Sequence, residues 1–201
     1  MSGTVQPIQD IRSMSEVSKA SGASGKKSAE QQEYEEGKLA LENGEFGQAA
    51  VSLHNALRTF EEKGDENGIA NASNQLGNFC LQKKDYDTAL KHFQRAYSIC
   101  DKANDRMSVI AVVVKRVDVF VGMQEYEKAI DDCLFVLDLY QDNRDPQGVV
   151  GMMEKMAEIY VESGDTAKAA DTYRTIASIH SNYQHKIAAK KYNEMAEELA
   201  G

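Results

Sequence analysis

Proline is scarce, cysteine nearly so, and no apolar run is long. Only two prolines occur in 201 residues, so little interrupts helix, and abundant Ala, Glu, Lys and Leu favour it. The cysteines are Cys80, Cys100 and Cys133. An odd number with no C-x-x-C pair argues against a disulfide framework and for a reducing, cytoplasmic setting. No apolar stretch approaches the roughly 20 residues of a membrane span. The first residues lack a basic segment followed by an apolar one, so no signal peptide is expected. Positive charge is also in deficit. A net charge of −9 argues against nucleic acid or an anionic membrane as the main partner, since both demand a basic surface. What remains is a globular composition, 42% hydrophobic and 27% charged, of a length that suits one domain or one repeat array.

Residues 1–27 stand apart. They are rich in Ser and Gly, carry a small positive excess, and hold too little apolar surface to offset their chain entropy. The run "SGASGKKS" has only two residues between Gly22 and Gly25, where a phosphate-binding loop needs four and a preceding strand. Val5, Ile8, Ile11, Met14 and Val17 fall at every third position, which as a helix would make a slowly drifting apolar stripe. Two readings stay open: a disordered tail, or a partly helical one that docks on a partner or on the protein's own surface.

From Ser28 the chain restates itself every 40 residues. "GEFGQAA" begins at Gly44, "KDYDTAL" at Lys84, "QEYEKAI" at Gln124 and "GDTAKAA" at Gly164. Small residues recur in one column as Ala49, Ala89, Ala129 and Ala169, and larger ones in another as Leu53, Phe93, Cys133 and Tyr173. Within each row the apolar positions step by three and four, the helical period. Small side chains let two helices approach and large ones fill the space beside them.

Each row predicts two helices. A short polar turn lies near Asn43–Phe46 and at its later equivalents, and a second punctuation mark lies between rows. Asp65, Asp105 and Asp145 share one column and read as N-caps, whose carboxylates accept from an otherwise unpaired first-turn amide. Pro146 then suits the first helical position, and Gly64 and Asn104 suit the left-handed residue that ends the preceding helix. Four rows give eight helices of roughly 16–18 residues, about 25 Å each. "SVIAVVVKRVDVFVG" tests this: propensity alone favours strand, but the register places Val113, Val117 and Phe120 in columns buried elsewhere, so helix is expected.

"NQLGNFCLQKKDYDTALKHFQRAYSI" resembles the tetratricopeptide repeat, with its Leu-Gly, aromatic, then Ala-aromatic-Ala pattern. "GDENGIANASNQLG" resembles the longer variety found in kinesin light chains, spindle-orienting scaffolds and bacterial Rap-type regulators. The likeness covers about 28–182. Glu36 stands where an apolar residue is usual, Thr166 replaces an aromatic, and the proline that usually ends the second helix is absent. The resemblance implies an all-α fold: a right-handed superhelical stack of antiparallel helix pairs. Its four repeats would be about 28–65, 66–105, 106–145 and 146–182, followed by a polar capping helix in 183–201.

No chemistry-bearing constellation accompanies this. His54, His92, His180 and His185 show no metal-ligand spacing with cysteine or with one another, and H-E-x-x-H is absent. A structural or solvated role is expected for each, and a buried core thiol for each cysteine. No catalytic residue, cofactor or metal is therefore expected.

The resemblance instead implies a binding groove lined by the first helix of each pair. Its places fall on Tyr34, Lys38 and Leu41; Asn71, Asn74, Asn78 and Leu81; Ala111, Val114, Asp118 and Val121; and Gly151, Glu154, Glu158 and Glu162. Tyr34 and Ala111 occupy lysine places of the co-chaperone carboxylate clamp, which argues against an acidic-tail ligand. The asparagines suit an extended peptide backbone, because an amide both donates and accepts. The acidic stripe Glu154, Glu158 and Glu162 suits a basic ligand. The expectation is a non-enzymatic scaffold that binds a peptide or partner helix of basic character. The alternative is a self-assembling adaptor, possible as a homo-oligomer through Val114 and Val121, or a regulatory subunit of a kinase, secretion or ciliary complex.

Overall fold

The computed structural model describes residues 27–200. The stripe of Val5, Ile8, Ile11, Met14 and Val17, and with it the question of a docking tail, lies outside the described residues. Among those described, nine α-helices follow one another with no strand. The chain divides into two compact units, one ending at Val119 and the other running from Phe120.

The first unit holds α1 (Ala29–Glu42), α2 (Phe46–Lys63), α3 (Glu66–Gln82), α4 (Tyr86–Lys102) and most of α5 (Arg106–Gly122). The second holds the end of α5, then α6 (Tyr126–Asp142), α7 (Pro146–Glu162), α8 (Thr166–Asn182) and α9 (Lys186–Ala200). Sequential helices pack on one another: α1 on α2, α2 on α3 and α3 on α4 in the first unit, and α7 on α8 and α8 on α9 in the second. This is the all-α repeat stack that the period of 40 implied.

The turns are more uniform than the sequence suggests. Residues 44, 64, 84, 104, 124, 144, 164 and 184 all have positive φ, so the backbone repeats every 20 residues, not every 40. At each turn the following amide donates across five residues, as Asp65 N does to Phe60 O and Asp145 N to Tyr140 O. This is the Schellman ending of a helix. Glycine fills the left-handed place at Gly44, Gly64 and Gly164; Lys84, Gln124, Arg144 and Gln184 accept it without glycine's freedom. The residue after each turn opens the next helix. Asp65 caps through Gly68 N, Asp105 through Ser108 N, and Asp145 through the amides of Gln147 and Gly148. Pro146 sits at the start of α7 as its missing N–H allows.

Packing follows the columns. Ala49, Ala89, Ala129 and Ala169 are all fully buried. Leu53, Ala56, Leu57, Phe60, Ile69, Ala72 and Leu76 form one core cluster in the first unit. In the second, Tyr173, Ile176 and Ala177 of α8 pack with Tyr192 and Ala196 of α9. Three glycines permit the closest approaches: a Cβ on Gly68 would meet the Phe60 ring, one on Gly148 the Tyr140 ring, and one on Gly77 would stand 2.6 Å from the Phe93 ring. The valine-rich segment is helix, as the register required. Val109, Val112, Val113, Val117 and Val119 are buried, whereas Phe120, expected with them, is half-buried. Burial decides the outcome over weak β propensity.

Candidate functional site

The α3 helix is buried along most of its circumference, and one stripe breaks that rule with polar side chains. Asn71, Asn74 and Asn78 lie three and four residues apart and share a face. Asn71 and Asn78 are half-buried, while Asn74 is only 5% exposed. Asn78 Nδ2 donates to Gln75 Oε1 at 3.3 Å. The side-chain oxygens of Asn71 and Asn74, and the neighbouring Ser73 hydroxyl, are buried without a hydrogen-bond partner. Each such acceptor costs about 1–3 kcal/mol relative to a satisfied one.

The flanking residues fall on the same register. On α1, which touches α3, Tyr34 and Lys38 are half-buried, and Tyr34 packs against the core cluster of α2 and α3. Leu81 is half-buried at the end of α3. Forty residues on, Ala111, Val114 and Asp118 of α5 are half-buried, with Lys115 Nζ 3.8 Å from Asp118 Oδ2. Leu41 differs: it is buried with Ala40 and Ala49 and packed against Phe46 and Phe79, a core residue rather than a surface one. It lies one turn too close to the end of α1, where the following helix folds over it.

In the second unit Val121 and Gly151 are half-buried, and Glu158 and Glu162 are exposed. Glu154 is half-buried and accepts a hydrogen bond from the Tyr192 hydroxyl of α9. Burial first, and then Glu154, push the Tyr192 hydroxyl well above its ordinary value, so it stays a donor. The acidic stripe therefore has a tied end and two free carboxylates.

The three cysteines are buried thiols, none of them in a disulfide. Burial, reinforced by Asp105, pushes Cys100 up to about 11, and burial also raises Cys80; neither is a thiolate nucleophile at neutral pH. Among the described residues no group of three His, Cys, Asp or Glu side chains is placed to hold a metal. The histidines are nonetheless not scattered as their spacing suggested. His54 and His92 meet edge to face at 6.5 Å, and His180 and His185 bring their Nδ1 atoms to 3.3 Å. None of the helices described is long and apolar enough to cross a membrane.

A tetratricopeptide-repeat family model matches residues 34–104, spanning the asparagine-bearing helix and its neighbours. Residues 34–104 are similar to tetratricopeptide repeats. Solved structures extend the likeness over most of its length. The nearly identical tetratricopeptide-like repeats of a Podosopora anserina kinesin-light-chain candidate superpose with a TM-score of 0.70 at 12% identity, covering 85% of this chain and 86% of that one. BtubC (BKLC) from P. vanneervenii gives 0.59 at 14% identity, covering 82% and 76%. The Rap conjugation gene regulator of plasmid pLS20, in complex with the Phr* peptide, gives 0.60 at 12% identity, covering 84% and 52%. At such identities these likenesses concern the fold. No curated protein matches the sequence. The unpartnered oxygens of α3 were not legible beforehand; the polar residues at columns that other rows fill with apolar or charged side chains were the available signal.

Proposed function

We propose that the chain is a non-enzymatic protein-binding module whose first-unit face, centred on Asn71, Asn74 and Asn78, holds an extended segment of a partner. The observation that carries this is the pair of buried asparagine oxygens without a donor. An extended segment offers free backbone N–H groups to such acceptors, whereas a helix has already used its own. Tyr34 and Val114 supply apolar contact beside them, and Lys38 and Asp118 bound the stripe with charge. The structurally similar Rap regulator is described in complex with a peptide, which supports a peptide-like ligand here. A net charge of −9 and the exposed carboxylates Glu158 and Glu162 favour a segment carrying Lys or Arg, drawn in by the field of the whole protein.

Selection of displayed random peptides on the full chain tests this. Enriched peptides should be basic, should bind more weakly as salt rises, and should dissociate faster from Asn74→Ala. The same variant should be about as stable as the parent, because relief of a buried acceptor without a donor offsets the cavity that the lost side chain leaves. Selected peptides that bind Asn71→Ala and Asn74→Ala as tightly as the parent would sink the assignment, and so would a failure to enrich any peptide.

A further inference from the structure

The turn between α8 and α9 departs from the other seven. At the residue after the left-handed position those turns carry Asp or Glu, Asp65 and Asp145 among them, but here stands His185. Five residues earlier, where Phe60, Cys100 and Tyr140 stand at the end of earlier rows, is His180. Imidazole is a poorer N-cap than carboxylate, and a polar ring is a poorer core residue than Phe, so neither exchange is explained by the fold.

The turn makes the pair. His185 N donates to His180 O at 2.8 Å, which folds the two side chains together until their Nδ1 atoms are 3.3 Å apart. Both rings are braced. His180 lies flat on Tyr192, centroids 5.4 Å apart and planes within 2°, and Tyr192 is itself held by Tyr173 and by Glu154. His185 lies against Tyr183 at 6.2 Å. Two nitrogens bound to one tetrahedral Zn2+ at about 2.0–2.1 Å are separated by roughly 3.3–3.4 Å, the separation observed. The ring centroids are 5.6 Å apart, so the nitrogens face each other. A modest rotation of the exposed His185 ring aims both lone pairs at a common point beside the line joining them.

We propose that His180 and His185 are a two-histidine site for a divalent transition metal, Zn2+ or Cu2+ in class. Both ligate through Nδ1, both carry their proton on Nε2, and the remaining positions stay open to water. Imidazole suits these metals. In the neutral pair one Nδ1 carries a proton; as the metal enters, that ring changes tautomer through water, its proton passes to Nε2 and none is released overall. No third His, Cys, Asp or Glu among the described residues closes the site, so it is an open site and not a structural one of the four-ligand kind.

Calorimetric titration of the full chain with zinc sulfate, and separately with copper sulfate, reads this directly. Imidazole 15N shifts recorded with zinc identify the ligating atoms. One equivalent should bind, moving Nδ1 of His180 and His185 and leaving His54 and His92 unmoved. His185→Asn keeps a good N-cap residue, so it should retain the parent's thermal melt while losing the equivalent; His54→Ala should keep it. Absence of heat and shifts would overturn the proposal, as would unchanged binding by His185→Asn or shifts confined to His54 and His92.

Discussion

Gly77 and Gly151 lie in the first helices of two repeats and differ in what surrounds them. A Cβ on Gly77 would stand 2.6–2.8 Å from three atoms of the Phe93 ring, whereas one on Gly151 would meet nothing within 4 Å. Helix propensity favours alanine over glycine by about 1 kcal/mol at either place. At Gly151 nothing opposes that gain, so Gly151→Ala should stabilise the chain by about that amount. At Gly77 the new methyl meets a ring that is fully buried and has no room to withdraw. Overpacking of this kind costs about 1–3 kcal/mol, so Gly77→Ala should be neutral to about 2 kcal/mol less stable. Urea unfolding followed by helical circular dichroism measures both, and the signs should differ. For a chain of this size about 1 kcal/mol moves the melting temperature by roughly 2–4 °C. If Gly77→Ala stabilises the chain as much as Gly151→Ala does, α3 and α4 do not approach as described and the close-contact column is misplaced.

Arg144 holds a left-handed conformation at φ 53°, which costs a non-glycine residue about 1–2 kcal/mol. Arg144→Gly should therefore raise stability by up to about 1 kcal/mol after glycine's unfolded-state entropy is counted, and a lower melting temperature would show that the turn depends on the side chain. Glu30 meets Lys63 Nζ at 2.7 Å, and that hydrogen bond, with help from Ser28, holds its carboxyl down to about 2. Because the folded value is depressed, the stabilisation is present above the ordinary carboxylate range and is lost as pH falls towards about 2; a 13C titration of Glu30 with a midpoint near 4 would refute the contact.

The fold was legible because repetition multiplies weak signals. One Leu-Gly pair says little, but Gly37, Gly77, Val117 and Ala157 in one column, set against alanines in another, fix helix, phase and partner together. The finer period of 20 was hidden because the same backbone is built from unlike residues: Gly44 and Gly64 announce a left-handed turn, while Lys84 and Arg144 do not, and the Schellman hydrogen bonds hold them there regardless. The candidate site was legible as a stripe and not as an environment. Register alone put Asn71, Asn74 and Asn78 on one face. That Asn74 is nearly closed over while its oxygen lacks a donor depends on neighbouring helices, which no spacing reveals. Leu41 shows the converse, a position on the stripe that the packing claims for the core. The histidine pair was missed because five residues is not a helical spacing; the turn makes residues five apart into neighbours.

The same turn explains how the array separates stability from recognition. Left-handed residues and the alanine column recur in every row, so the backbone of each helix pair is specified many times over. The column that begins with Tyr34 does not recur and holds Asn74, Val114 and Glu154 in the following rows. An aromatic ring, an amide, an aliphatic side chain and a carboxylate at one register cannot all serve a common packing need, and Glu154 accepts a hydrogen bond from Tyr192 of a neighbouring helix. The recurring columns therefore serve the fold, and the proposed function assigns the varying one to the ligand, because function lives in sites carried on a fold and not in the fold itself. Exchanging residues along the varying column should change ligand preference with little change in stability, whereas exchanging residues along the alanine column should do the reverse.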